Sequence, residues 1–140
     1  MRLVLDTNVV VAGMRSPTGA SAALLMAARR GQLTMLANVA LALEYEATCR
    51  RAEHGVAAGL KPAQVAIFVD AVIAMAEPVE SHFLWRPQLR DPSDELVLEA
   101  AVNGQASAIV TFNKPDFGDV PMKFGIDVLN PAEALRRIKK

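Results

Sequence analysis

Arg2-Leu3-Val4-Leu5-Asp6-Thr7-Asn8 opens the chain with a short apolar run that stops on an acid and two small polar residues. The run reads as a buried strand over Arg2 to Leu5, ending at Asp6. Asn8 to Met14 can continue as a short helix, which Ser16-Pro17-Thr18-Gly19 breaks. Ala20 to Arg30 is rich in Ala and Leu, with Gly31 where a terminating glycine belongs, and Leu33 to Leu36 is a second strand. Asn38 caps a helix expected to run to His54 and stop at Gly55. Lys61-Pro62 starts another, to Ala76, whose Val65, Phe68, Val69, Val72 and Ile73 recur at helical spacing.

Val79 to Trp85 is weakly strand-like, Pro92 to Gly104 a helix, and Ser107 to Thr111 an apolar strand. Gly125 to Leu129 makes a last strand and Pro131 to Lys140 a closing helix. Strands alternating with helices predict a parallel sheet covered on both faces, with ligands gathering beyond the carboxyl ends of the strands. Asp6 follows one such strand, while Asn113 and Asp116 follow another, so the two segments should share one edge of the sheet.

At 140 residues the chain is expected to be a single domain, 1–140, with one sizeable core. Hydrophobic residues at 52% exclude a disordered chain, and aromatics at 5% exclude a broad base-stacking platform. Lys plus Arg equals Asp plus Glu at 15 each, so nucleic acid would need a local basic patch. Arg15, Arg29, Arg30, Arg50, Arg51, Arg86, Arg90 and Lys114 are the candidates, each also readable as solvated surface. The tail Arg136-Arg137-Ile138-Lys139-Lys140 reads as a complement to a helix C-terminus.

The single Cys49 allows no internal disulfide and no multi-cysteine zinc site, and it reads as a small helix filler. No apolar stretch approaches the ~20 residues of a membrane helix, so a soluble cytoplasmic protein is expected. His54 and His82 sit in no motif, and Ser16 and Ser21 have no identifiable triad partner.

Four acid-bearing segments carry the chemistry. Asp6 is equally a helix cap and a ligand, and Thr7 and Asn8 add polar groups suited to ordering a metal-bound water or phosphate. Glu44 and Glu46 lie two residues apart on one helix, so only one can face a site. Asp91-Pro92-Ser93-Asp94 makes a good helix start without any chemistry, with Asp91 as cap. The functional reading sends Asp94 across toward Asp6. Asp116 is a turn residue or a fourth acid. Carboxylates ~4 Å apart repel by about 4 kcal/mol at an effective dielectric near 20, so such a cluster implies a compensating cation. One or two hard divalent ions would lower the pKa of a bound water and neutralise charge on a phosphodiester.

Taken in order, Leu3 to Val9, Glu44-Tyr45, Arg90 to Glu95 with Leu98-Glu99-Ala100-Ala101, and Ile109 to Asn113 with Asp116-Phe117 resemble the PIN-domain nucleases. The nearest likeness is to the toxin-like branch that includes VapC-type ribonucleases, and it runs from Arg2 to about Ala134. The resemblance implies a three-layer α/β/α sandwich with a central, mostly parallel sheet. It also implies Mg2+ or Mn2+ as cofactor and cleavage of RNA. By position the ligands would be Asp6, Glu44 and Asp94. Many members carry Asp where this chain has Asn113, so Asp116 is the candidate fourth acid and Asn113 a weaker ligand or water-positioner. A cognate antitoxin protein and a homodimer or higher homo-oligomer are the expected protein partners.

Other readings are weaker. A haloacid-dehalogenase-like phosphohydrolase would need an acid where Asn8 stands. A phospho-receiver domain would need an acid pair at the first strand, which is missing. A PIN nuclease of RNA processing without a toxin role, or a non-catalytic module using its acids only as caps, would also suit parts of the pattern.

Overall fold

The computed structural model describes residues 1–80 and 88–139. Strands β1 (Arg2–Leu5), β2 (Thr34–Ala37), β3 (Glu77–Pro78), β4 (Ala108–Val110) and β5 (Asp127–Leu129) form one sheet in the order β3-β2-β1-β4-β5. Every pairing is parallel. Among the described residues the sheet is flanked by helices α1 (Thr7–Arg15), α2 (Ala20–Arg29), α3 (Val39–Cys49) and α4 (Ala52–Ala58). To these are added α5 (Pro62–Met75), α6 (Pro92–Asn103), α7 (Val120–Lys123) and α8 (Pro131–Ile138). The architecture is a parallel sheet covered on both faces, as the alternation predicts, and the three-layer α/β/α sandwich that the resemblance implies.

The central strands are apolar on both faces because helices cover both. Leu3, Val4, Leu5, Ala108, Ile109 and Val110 are completely buried, and α6 packs across β1, β2 and β4. Fully burying a Leu or Ile contributes roughly 1.5–3 kcal/mol, so β1 and β4 anchor the sheet. The edge strand β3 holds only two exposed residues, and Pro78 suits an edge because it has no N–H to give a further neighbour. Of the strand expected over Val79 to Trp85, residues 81–85, His82 among them, lie outside the described residues, and Val79 and Glu80 follow β3 without being part of it; Arg86, residue 87 and Lys140 also lie outside the described residues.

One helix boundary corrects the sequence reading. The helix expected from Asn38 to His54 is two helices, because Arg51 takes an extended backbone (φ −60°, ψ 131°) and α4 sets off in a new direction to meet α1 and α5. No breaker residue marks the spot; tertiary packing overrides helix propensity there. Gly55 does not stop a helix but lies inside α4, where a Cβ would stand 3.4 Å from the Leu60 carbonyl and from Val65 Cγ2. The stop is Gly59, with the left-handed φ of +70°. A 3-10 turn over Lys114–Phe117 and the short α7 fill a stretch where no element was expected. No single described helix is long and apolar enough to cross a membrane.

Candidate active site

The parallel register sets Leu5 beside Val110, so the next residue on each strand, Asp6 and Thr111, emerge together at the carboxyl end of the sheet. The Asp6 N–H donates to the Val110 carbonyl (2.9 Å) and the Thr111 N–H to the Leu129 carbonyl (2.9 Å). Asp6 is buried at 8% exposure, and both its oxygens are engaged. Oδ1 accepts the Thr7 N–H (2.8 Å) at the start of α1, and Oδ2 accepts the Thr111 hydroxyl (2.7 Å). Burial pushes its carboxyl upward against those two hydrogen bonds, with the charges of Glu44 and Asp116 adding to the rise.

Glu44 reaches the same place from α3. Asn38 caps that helix through Oδ1 to the Leu41 N–H (2.8 Å), and its amide donates to the Leu96 carbonyl of α6 (3.2 Å). The buried Tyr45 hydroxyl donates to the Leu5 carbonyl, pinning the middle of α3 to the end of β1. Burial, then Asp6 and Glu44, push the phenol well above its ordinary range, which keeps it a neutral donor. Glu44 Oε2 is buried without a hydrogen-bond partner, whereas Glu46 turns out to an ion pair with Arg50 (3.5 Å). The two acids divide as their spacing requires.

Asp91 is indeed the cap of α6, accepting the Ser93 N–H at 2.9 Å. Asp94 on the first turn is buried, and its pKa rises to about 6, first through burial and then through Asp6, Asp91, Asp116 and Glu44. Behind it, Glu95 accepts the backbone N–H groups of Gln88 and Leu89. Asp116 rides on the 3-10 turn, which is held by fully buried Phe117 and by an ion pair from Lys114 to Glu133 at the start of α8. Asn113 is exposed, and its N–H donates to the Thr111 hydroxyl (3.0 Å).

Two adjoining cavities open over these groups. One, of about 690 Å³, is lined by Thr7, Asn8, Glu44 and Asp91, with Arg15, Arg51 and His54 on its wall. The other, of about 460 Å³, is lined by Arg90, Asp91, Asp94 and Asp116. Asp91 borders both, whereas neither Asn113 nor Asp6 itself is on either wall. Thr7 Oγ1, Asn8 Oδ1 and Glu44 Oε2 are buried oxygens with no partner, all in the larger cavity. Unpaired buried oxygens beside mutually repelling carboxylates fit a hard divalent cation, whose ligands are oxygens. Among the described residues, no three His, Cys, Asp or Glu side chains already converge to hold one ion.

The remaining candidates sort by position. Arg15, Arg51 and Arg90 line the cavities, whereas Arg50 and Lys114 are taken up by Glu46 and Glu133. Arg137 pairs with Asp127 (2.7 Å). Cys49 is buried, its thiol pushed up to about 11 by desolvation, as a filler should be. Sequence reasoning passed over Thr111, which anchors Asp6. The rule that found Asp6, a polar residue directly after an apolar strand, applies to it equally. It gave no role to Tyr45 or to His54; the latter has a buried Nδ1 without a partner and carried no motif signal.

A family model described as PIN domain matches residues 2–115. No curated protein and no solved structure matches the chain.

Proposed function

Since the chain belongs to the PIN-domain family, whose members are generally nucleases, we propose that it is a divalent-metal-dependent endoribonuclease and the toxin of a VapC-type toxin–antitoxin pair. One observation carries the metal chemistry. Asp6, Glu44, Asp94 and Asp116 come from four separate chain segments, yet Glu44 and Asp116 push the Asp6 carboxyl upward and Asp6, Glu44 and Asp116 all push that of Asp94 upward. Such repulsion is costly in a fold unless a cation offsets it. The toxin role, a cognate antitoxin, a homodimer or higher homo-oligomer and a cytoplasmic location rest on the resemblance to that branch. We take the whole chain, 1–140, as the one nuclease domain.

In this reading Glu44, Asp94 and Asp116 join Asp6 in holding Mg2+ or Mn2+. The bound cation would supply a hydroxide-like water and offset charge at the phosphate. Thr111 and the Thr7 amide hold Asp6 in one orientation, which would present it to the ion already aligned. Asp94, with its pKa near 6, is mostly ionised at neutral pH and would face the cation as a carboxylate. Asn8 and Thr7 offer unpartnered oxygens to a water, and Arg15 and Arg51 stand where flanking phosphates would lie.

Purified protein incubated with defined RNAs in Mg2+, Mn2+ or EDTA, beside Asp6→Asn, tests the proposal. Cleavage should need the metal and vanish in the variant. Cleavage that survives both EDTA and the substitution would overturn it.

A further inference from the structure

The catalytic cleft shares Ala12, Ser16 and Phe112 with a neighbouring cavity of about 370 Å³. The far walls of that cavity are the start of α2, at Gly19 to Ser21, and the start of α8, at Asn130 to Ala132. The two helix starts differ. Asn130 and Glu133 close the start of α8 with reciprocal side-chain bonds of 2.8 and 3.0 Å. Gly19 gives α2 no side-chain cap, and among the described residues the N–H groups of Ala20, Ser21 and Ala22 meet no acceptor. Ser21 itself is 4% exposed, and its hydroxyl has no hydrogen-bond partner. A buried hydroxyl left unpaired costs free energy until a ligand completes it.

These unpaired donors face small apolar walls, and no Lys or Arg lines the cavity. A phosphate would want a cation, and the cleft next door supplies Arg15 and Arg51 for that. Uncharged donors among apolar walls suit a flat, neutral ligand with acceptor edges. The Phe112 ring, 53% exposed at the boundary of both cavities, is placed to stack on such a ligand. We propose that this cavity is a base pocket for a nucleotide next to the scissile phosphate, with Phe112 as the stacking platform and Ser21 with the start of α2 reading the base edge. The inference rests on the ribonuclease reading above.

The test uses the full chain carrying Asp6→Asn, in Mg2+, with fluorescein-labelled hexamers of U, C, A and G and an abasic hexamer. Phe112→Ala should weaken every base-bearing hexamer by roughly 5- to 150-fold, the range of one lost stacking contact. Phe112→Trp should retain affinity, and Ser21→Ala should narrow the spread among the four bases. Neither Phe112→Ala nor Ser21→Ala should lower thermal stability, since one side chain is half exposed and the other an unpaired hydroxyl. Three results would each overturn the pocket while leaving the nuclease reading intact, provided the wild type cleaves RNA. They are unchanged binding in both variants, an effect of Phe112→Ala alone, and an abasic hexamer bound as tightly as the others. Absence of any hexamer binding by the Asp6→Asn protein counts the same way. A wild-type protein that cleaves no RNA removes the parent reading and this one with it.

Discussion

At the scale of the residue, the site turns on how two carboxyls hold their protons. Asp94 moves from its ordinary 3.8 to about 6, so the folded protein binds that proton more tightly than the unfolded chain. The stabilisation is therefore complete below about pH 4 and lost as pH rises through about 6, with Asp6 acting in the same direction. Chemical denaturation of metal-free protein should show stability falling as pH rises between those limits. Asp94→Asn should flatten the profile and abolish cleavage; an unchanged slope would remove Asp94 from the cluster. Thr111→Val takes away the hydroxyl that donates to Asp6 and accepts from Asn113. A loss of about 1–3 kcal/mol is expected, with the acid limb of the pH–activity profile displaced upward. Thr111→Ser should restore both, and rescue failing for activity alone would assign the methyl group the larger part.

Elements decide which of several similar acids can act. The α3 helix is clamped by Tyr45 to the end of β1, so Glu44 faces the cleft and Glu46 faces Arg50. Glu44→Gln should weaken metal binding and cleavage at least tenfold, whereas Glu46→Gln, at an exposed pair, should change stability by less than ~0.5 kcal/mol and activity little. Equal losses in both would contradict the clamp. The 3-10 turn makes a similar choice, lining the cavity with Asp116 and leaving Asn113 outside it. Asp116→Asn should accordingly cost more activity than Asn113→Ala, and high Mn2+ should recover part of the loss by refilling a weakened site. A metal titration in which Asp116→Asn matches the wild type would leave a centre of three carboxylates.

For the whole molecule, a cation that binds only the folded protein must stabilise all of it. At a hundred times its Kd, Mg2+ or Mn2+ should add about 2.7 kcal/mol, seen as a rise in Tm that EDTA reverses and that Asp6→Asn diminishes. No shift with either ion, at any concentration that supports cleavage, would contradict the site. Much of this fold is local information. Apolar runs such as Leu3-Val4-Leu5 and caps such as Asn38 and Asp91 act through their own neighbours, so the alternation of elements and a parallel sheet covered on both faces could be read directly. The four acid segments were legible for the same reason, each lying just after a strand or at a helix start or middle. The break at Arg51 and the packing role of Gly55 were not, because they answer to how α4 packs on α1 and α5. Neither was the pairing of Asp6 with Thr111, separated by 105 positions and joined only through the register of β1 on β4. Sequence by itself determined which groups stand at the strand ends. Only the tertiary structure decided which of them meet, since distance across a sheet is set by packing between segments and not by any residue's own preference.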